Sequence, residues 1–241
     1  MAIFAATRGS RWQRPLCGAL AALVIALCIC RSWGGDLGFS GSLSPALIEQ
    51  LATRFGTEAK TRLAAWQDLM RTLRLPEDKR YNPPAGKTER DILQGVNSFF
   101  NRIPFLDDLK HWGVEDYWAT PAEMLASNGA DCEDYAIAKY FALKEIGIPV
   151  ARLRITYVKA TRPPQPHMVL AYYASPDADP LILDNLDPDI RPASQRPDLI
   201  PVYSFNDDDV WLARNNAHAG SPSQIRLWRG LLDRLAKERH M

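Results

Sequence analysis

Hydrophobic residues recur at helical spacing through the segment that follows residue 43. Segment 44–73 begins with Ser44 as a candidate N-cap and Pro45 at the first helical position. Gly56 interrupts this segment, so we predict a break there. A further helix is predicted from Thr88, and its pattern directs apolar side chains toward a core. These side chains are Ile92, Leu93, Val96, Phe99 and Phe100.

The middle of the chain combines a broken aromatic stretch with two more helical patterns. Thr120 opens a short helix, because it stands three residues before Glu123 in a capping-box arrangement. The next predicted helix carries Cys132 near its start, runs to about Ile146 and ends at Gly147. Cys132 is therefore predicted at a helix N-terminus.

The hydrophobic period changes from helical to strand-like after this helix. Three short β-rich runs occupy residues 149–158, 167–173 and 180–186. Segments 159–166 and 174–179 separate them, and antiparallel pairing of neighbours is the simplest arrangement. The order of helices followed by a sheet predicts an α+β fold, with the helical N-terminal part packed on a small antiparallel sheet.

The two ends of the chain differ from its centre. Residues 1–30 combine three arginines with an apolar run of fifteen residues, which predicts an export signal. An uncleaved N-terminal membrane anchor is the alternative, although a span needs about 20 apolar residues. Residues 31–241 are predicted to form a single domain. Its parts are a helical lobe at about 44–146, a sheet at about 150–215 and a C-terminal helix at about 223–239, for which core packing is favoured over membrane contact.

Composition and charge exclude some classes of function. Hydrophobic residues make up 46% of the chain, enough for a substantial core. Lysine and arginine total 29 against 28 acidic residues, so no basic field is available and we expect no nucleic-acid partner. Three of the four cysteines lie in the apolar N-terminal run, so an exported, processed chain keeps only Cys132. A single thiol in an oxidising compartment is expected to be buried or used.

The candidate chemistry is that of a thiol enzyme. Such an enzyme needs a thiolate, an imidazole beside it and an acceptor that orients the imidazole. Only His167, among four histidines, opens a predicted strand, and Asp184 lies near the end of the next strand. A helix N-terminus stabilises both a thiolate and an oxyanion. Each residue also has a structural interpretation: Cys132 as a buried inert thiol, His167 as a strand-end hydrogen-bonding group and Asp184 as a turn cap. Only the three together indicate catalysis.

Specific motifs then carry a resemblance to a known family. The stretches "GADCEDYAIAKYFALKEIGIP" at 129–149, "HMVL" at 167–170 and "LILDNL" at 181–186 resemble the bacterial transglutaminase-like cysteine proteinases. Within that family the chain is similar to the LapG group of calcium-dependent periplasmic proteases, over about residues 80–215. The resemblance implies a papain-like, transglutaminase-like core. It also implies that Cys132 is the nucleophile, His167 the general base and Asp184 its orienting partner.

Acidic residues surround the candidate nucleophile. Carboxylates beside Cys132 should raise the pKa of its thiol and reduce its reactivity. The resemblance implies that Asp131, Glu133 and Asp134 bind Ca²⁺. Carboxylates suit this hard cation, which would neutralise the charge, although solvated helix-cap acids are the alternative on the residues alone. The stretch is not an EF-hand, because Ala136 stands at the sixth loop position and Ala142 at the twelfth. A zinc site has little support, since the processed chain has neither a second cysteine nor an HExxH motif.

The resemblance also implies a biological setting. The chain would be a periplasmic endopeptidase that cuts the N-terminal region of a very large surface adhesin at a di-alanine site, releases the adhesin and disperses a biofilm. An inner-membrane receptor for cyclic di-GMP would hold the protease inactive. Two alternatives remain open: acyl transfer to an amine by the same triad, and a non-catalytic calcium-binding periplasmic module. The intact Cys132, His167 and Asp184 argue against the second alternative.

Overall fold

A computed structural model describes residues 43–73, 88–214 and 216–241. The predicted export segment at 1–30 and the connector at 74–87 lie outside the described residues, so both stay predictions. Within the ranges that the structure describes, no helix is both long and apolar enough to cross a membrane.

The first two helices form where their capping residues predict. Helix α1 spans Pro45–Phe55, and the Ser44 hydroxyl accepts a hydrogen bond from the Leu47 backbone N–H at 3.1 Å. Gly56 ends this helix at a φ of 93°, a backbone conformation that glycine adopts without steric cost. Helix α2 follows at Glu58–Leu73. The predicted break at Gly56 is confirmed.

Helix α3 spans Glu89–Phe100 and also begins as predicted. Its N-cap, Thr88, exchanges hydrogen bonds with Asp91 in a capping box, which satisfies backbone donors that the first turn leaves free. Of the apolar side chains predicted to face the core, Phe99 is only partly buried, whereas the others are fully buried. Helix α3 thus packs one face against the rest of the molecule.

Three helices build the centre of the chain. Helix α4 is a single turn at Asp108–His111, and α5 spans Pro121–Ser127 behind the Thr120 capping box. Helix α6 spans Cys132–Ile146 and ends at Gly147, as predicted, with a φ of 111°. Helix α6 is buried along most of its length because it packs on the sheet and also contacts α2, α3 and α5.

A single antiparallel sheet of seven strands lies in the described part of the chain. The strand order is β4-β3-β2-β1-β5-β6-β7, so the three predicted runs are adjacent and pair as expected. The strands are β1 at Leu153–Thr161, β2 at Pro164–Tyr172, β3 at Leu181–Leu183, β4 at Arg191–Pro192, β5 at Leu199–Phe205, β6 at Val210–Leu212 and β7 at Ala217–Gly220.

Two features of the sheet differ from the sequence prediction. Segment 159–166, expected to separate strands, instead forms the ends of β1 and β2, where Thr161 pairs with Pro164. Prolines are tolerated there because β3 pairs only with residues 170–172, which leaves the start of β2 as an open edge. Strands β4–β7 were not predicted individually. Most are very short, and β5 exposes Ile200, so the hydrophobic alternation is weak.

The C-terminal helix α7 spans Arg226–Arg239 and packs into the core. Trp228 is buried and stacks on Phe141 of α6 with ring centroids 5.5 Å apart. The core packing predicted for this helix is therefore confirmed. The α+β prediction is confirmed as well: helices cover one face of the sheet, and α6 lies directly on β1 and β2.

Candidate active site

The loop before α6 presents Cys132 as the first residue of that helix. Backbone hydrogen bonds hold this loop, since Leu106 donates to the Ala130 carbonyl at 2.8 Å and Ala130 donates to the Pro104 carbonyl at 3.2 Å. Gly129 is closely packed: a Cβ there would lie 2.6 Å from Leu106 Cδ1, so a larger residue would require the Leu106 side chain to move. Local packing therefore determines where the thiol enters the site.

His167 and Asp184 meet across neighbouring strands. The antiparallel register that pairs Leu170 with Leu183 brings β2 and the end of β3 together, and His167 Nε2 lies 2.7 Å from Asp184 Oδ1. Both side chains are almost fully buried. Burial acts to raise the pKa of Asp184, but hydrogen bonds and the charge of His167 outweigh it and lower that pKa to about 2.

The hydrogen bond to Asp184 also defines the role of the other imidazole nitrogen. An ionised Asp184 accepts a hydrogen bond from the Nε2–H group, so the neutral ring carries its proton on Nε2 and Nδ1 is left as the basic nitrogen. Nδ1 is buried and has no hydrogen-bond partner within the described residues. It is therefore available to a reacting group.

Cys132 and His167 line the same cleft, which has a volume of about 350 Å³. Aromatic side chains form part of its wall: Trp118, Tyr157 and Tyr203. The structure thus brings together all three residues that the sequence suggested, with Cys132 and His167 at the cleft and Asp184 behind the imidazole. Their assignment as nucleophile, base and orienting partner stays a prediction, because proximity alone does not establish roles.

The thiol lies in an electrostatically unfavourable environment. Cys132 Sγ donates to Glu133 Oε2 at 3.1 Å, and the Met168 backbone N–H points at the sulfur. Burial, followed by the negative charges of Glu133 and Asp131, raises the pKa of the Cys132 thiol well above its ordinary value. The adverse effect predicted from the flanking acids is therefore present in the folded chain. A thiolate at Cys132 therefore needs a nearby positive charge to stabilise it.

Five carboxylates form an acidic cluster next to the cleft. Three were identified from the sequence: Asp131, Glu133 and Asp134. The structure adds Asp108 of α4 and Asp116 of the following loop, and groups of three carboxylates in this cluster place oxygens within 4.8 Å of one another. Sequence reasoning missed these two residues. Their only signal was the acidic content of the broken aromatic segment, which turns could equally explain.

The acidic cluster is suited to a hard divalent cation because some of its buried carboxylate oxygens lack a hydrogen-bond partner in the described part of the chain. Asp108 Oδ1 and Asp131 Oδ1 are buried and have no hydrogen-bond partner among the described residues. Burial, followed by the charge of Glu133, raises the pKa of Asp131 to about 10, and burial raises that of Asp108 to about 7. Carboxylate oxygens gathered in this way are ligands that Ca²⁺ prefers.

Asp134 differs from the other members of the cluster because both of its oxygens are already used. Oδ1 accepts the Ala119 N–H at 2.7 Å, and Oδ2 accepts the Asp131 N–H at 3.4 Å. These bonds tie the first turn of α6 to Ala119, two residues before α5 begins, and to its own N-cap residue Asp131. Asp134 therefore fixes the cluster's backbone, whatever it contributes to a cation.

The chain is similar to known proteins in both sequence and structure. The sequence profile described as bacterial transglutaminase-like cysteine proteinase matches residues 75–218. EGTA-treated Legionella pneumophila LapG is 39% identical in sequence, with a TM-score of 0.66 over 78% of this chain and 95% of that one. Calcium-bound Legionella pneumophila LapG is also 39% identical, with a TM-score of 0.64 over 78% of this chain and 97% of that one. No curated protein matches.

Proposed function

The chain belongs to the bacterial transglutaminase-like cysteine proteinases and has their α+β core, and from that premise we propose that it is a calcium-dependent periplasmic endopeptidase with Cys132 as nucleophile. One observation carries the residue assignment. His167 has an unpartnered Nδ1 and shares a cleft with Cys132, while its Nε2 is bound to an ionised Asp184. With the imidazole proton on Nε2, Nδ1 is the basic nitrogen, and a general base needs such a nitrogen to accept the thiol proton.

The proposed reaction follows from the placement of the proton on the His167 imidazole. His167 Nδ1 accepts the thiol proton, and the Cys132 thiolate adds to the carbonyl carbon of the scissile peptide bond. The imidazolium then gives the proton to the leaving amine as the C–N bond breaks, which leaves a thioester on Cys132. Water activated by His167 hydrolyses the thioester. Asp184 keeps Nε2 protonated and stabilises the imidazolium throughout.

The N-terminus of α6 supports the charged species in this sequence. Cys132 is the first helical residue, so backbone N–H groups of the first turn are not used in helical hydrogen bonds. These donors and the helix dipole favour both a thiolate and the oxyanion of the tetrahedral intermediate. They oppose, in part, the effect of Glu133 and Asp131 on the thiol.

Calcium is the proposed second source of positive charge. Asp131 and Glu133 would hold the ion together with Asp108, Asp116 and Asp134, as the shared acidic cluster and its unsatisfied oxygens suggest. The bound ion would supply charge that offsets the carboxylates next to Cys132. Calcium-bound and EGTA-treated forms of Legionella pneumophila LapG support the choice of metal.

The proposed substrate is the N-terminal region of a very large surface adhesin, cut at a di-alanine site. Cleavage would release the adhesin and weaken biofilm attachment. The cleft beside Cys132 and His167, with Trp118, Tyr157 and Tyr203 in its wall, would receive the peptide around the scissile bond. An export segment at residues 1–30 would place the chain in the periplasm, within reach of an inner-membrane cyclic di-GMP receptor that sequesters it.

Cleavage of an adhesin N-terminal fragment that contains an Ala-Ala pair tests this proposal. We expect the wild-type chain to cut the fragment in calcium, EGTA to stop cleavage and added calcium to restore it. Cys132→Ala and His167→Ala should be inactive and folded. His218→Ala is the matched control, because that histidine is exposed and pairs with Asp209 away from the cleft.

Two results would contradict the proposal. Full activity of Cys132→Ala would remove the nucleophile assignment, and indifference to both EGTA and calcium would remove the metal. A parallel reaction with a primary amine separates hydrolysis from acyl transfer: a cut fragment without an amine adduct supports the endopeptidase, whereas an amine-labelled fragment would identify an acyltransferase.

A further inference from the structure

Arg196 lies on the far side of Asp184 from His167 and is almost fully buried. Its Nη2 donates to Asp184 Oδ2 at 2.8 Å. The other carboxylate oxygen, Oδ1, accepts from His167 Nε2 at 2.7 Å and from the Leu186 backbone N–H at 3.0 Å. Arg196 therefore occupies the oxygen that the imidazole leaves free.

The Arg196 guanidinium is itself held in place by a second carboxylate. Asp198 binds it with both oxygens, at 3.0 Å from Nε to Oδ1 and 2.8 Å from Nη2 to Oδ2. The Arg196 backbone is fixed as well, since its N–H donates to the Ala193 carbonyl at 2.9 Å. A planar guanidinium clamped by a carboxylate has few orientations available. A continuous chain of hydrogen bonds thus runs from His167 through Asp184 and Arg196 to the partly exposed Asp198.

We propose that Arg196 is a positioning residue for catalysis: it fixes the plane and the charge of Asp184, and through Asp184 the orientation of His167. The inference rests on the proposed function, in which Asp184 orients the base. Sequence analysis did not single out Arg196, because it follows Asp184 by twelve residues in a connecting segment and matches no recognised motif.

The burial of Asp184 explains why such a residue is needed. A carboxylate removed from water must have its lone pairs and its charge compensated by protein groups. A single bond from His167 would leave the carboxylate free to rotate about its Cβ–Cγ bond, because the Leu186 N–H shares the same oxygen. The bond from Arg196 to the second oxygen removes this freedom. It also keeps the carboxyl ionised, which maintains the proton on Nε2.

Other charged groups around Asp184 are not placed to do the same. Lys139 of α6 is fully buried and contributes a favourable charge, but its Nζ makes no hydrogen bond within the described residues. Asp187 is itself an acid, and its Oδ2 lies 3.9 Å from Arg196 Nε. Of the cations near Asp184, Arg196 alone among the described residues combines charge with a directional bond to Oδ2.

Loss of the guanidinium has a definite expected consequence for the pH profile. Without it, one of the hydrogen bonds that offset burial is lost, so the pKa of Asp184 rises and the carboxyl takes up a proton at a higher pH. A neutral Asp184 no longer stabilises the imidazolium. The acid limb of the activity profile should therefore move upward. Misorientation of His167 should in addition reduce kcat/KM by about 100-fold.

Arg196→Met, Arg196→Lys and the control Arg191→Lys test the inference in the full chain with saturating calcium. Two rates are followed from pH 2 to pH 9: cleavage of the adhesin fragment, and alkylation of Cys132 by iodoacetamide, read on the peptide that contains this residue. We expect Arg196→Met to lose about 100-fold in kcat/KM and to shift both acid limbs upward. Arg196→Lys should restore the acid limb, since the charge is kept, but only part of the rate. Arg191 is partly exposed and pairs with Asp187, so Arg191→Lys should match wild type.

The outcomes separate this inference from the function on which it rests. Active Cys132→Ala and His167→Ala variants would defeat the proposed function. Inactive variants at those positions, together with wild-type rates and pH profile in folded Arg196→Met, would overturn the role of Arg196 alone. If Arg196→Met does not fold, Asp198→Asn replaces it: loosening the clamp should shift the acid limb in the same direction by a smaller amount, and an unchanged profile would overturn the inference.

Discussion

Asp184 and the carboxylates of the acidic cluster differ in how far other groups of the chain compensate their charge. Asp184 receives hydrogen bonds from His167, Arg196 and the Leu186 backbone. In the acidic cluster, by contrast, no lysine or arginine forms an ion pair with Asp131 or Glu133 within the described residues. The carboxyl pKa values follow this difference: that of Asp184 is lowered to about 2, and that of Asp131 is raised to about 10.

The contrast indicates which part of the site is complete in the polypeptide and which part is not. The support of His167 needs nothing from outside, because Arg196 and the Leu186 backbone N–H stabilise the ionised Asp184. The carboxylates of the acidic cluster repel one another. Together with burial, Glu133 and Asp131 raise the pKa of the Cys132 thiol. A protease built in this way would depend on an external cation for its nucleophile but not for its base. The following variants test this difference, beginning with the largest expected effect.

Asp184→Asn should have the largest effect. The amide cannot stabilise an imidazolium, so we expect kcat/KM to fall by about 10³- to 10⁴-fold. Arg196 would lose its buried partner, which should lower the free energy of unfolding by about 3–5 kcal/mol. Activity assays and urea denaturation measure the two effects. Asp189→Asn, in the exposed part of the same loop, is the control and should change neither. A loss of activity below tenfold would show that Asp184 does not orient the base.

Asp131→Asn should change stability in the opposite direction. Asparagine removes a carboxyl whose ionised form is disfavoured by burial and by the charge of Glu133, so we expect the calcium-free protein to gain about 1 kcal/mol, a rise in Tm of about 2–4 °C. The same change should greatly reduce the rise in Tm that calcium produces in the wild type. Thermal unfolding in EGTA and in calcium measures both. A lower Tm in EGTA with an unchanged calcium response would contradict the role given to this cluster.

Lys139→Met tests whether charge without a hydrogen bond also supports Asp184. Burial lowers the pKa of Lys139 to about 7, partly offset by the charge of Asp184. Between about pH 7 and the ordinary lysine pKa of 10.5, the unfolded chain binds this proton and the folded chain does not. Wild-type stability should therefore rise with pH across this window. Lys139→Met should flatten the rise in urea denaturation series, whereas Lys159→Met at an exposed position should not. Parallel curves for Lys139→Met and wild type would contradict this expectation.

Glu238→Gln should have the smallest effect and serves as a buried carboxylate outside the acidic cluster. Glu238 Oε1 accepts the Thr120 hydroxyl at 2.6 Å, Oε2 is buried without a partner in the described structure, and burial raises the pKa of this carboxyl to about 7. Its contribution to stability is lost as pH rises from about 4.5 to about 7. Glu238→Gln should thus raise Tm slightly at pH 8 and leave the calcium-induced shift intact. Loss of the calcium-induced rise in Tm in Glu238→Gln would instead show that Glu238 of α7 contributes to the calcium response.

Local features of the fold were predictable because short stretches of chain encode them. Ser44, Thr88 and Thr120 cap the helices that they were predicted to cap, and Gly56 and Gly147 end theirs. Capping depends on residues three or four apart, so it can be recognised without knowledge of the fold. The same holds for the three runs that were predicted as strands, whose antiparallel pairing is confirmed.

The strands at the two edges of the sheet were harder to predict. Strands β4 and β7 have only two and four residues, and neither carries a long alternating pattern. Such strands form because a neighbouring strand offers unpaired backbone groups. The ends of β1 and β2 depend in the same way on their mutual pairing, which overrides the turn signal of the prolines.

The sequence by itself identifies the chemistry of the site: one thiol at a helix start, one histidine on a strand, one aspartate after the next strand, and acids beside the thiol. It also carries the motifs by which the family is recognised. Tertiary packing then determines how these groups are supported. Asp108 and Asp116 join Asp131 only because the loop before α6 pairs with residues 104–106. Arg196 reaches Asp184 only after the chain has turned through β4. Such contacts depend on the path of the chain through space, and no periodicity along the sequence records them.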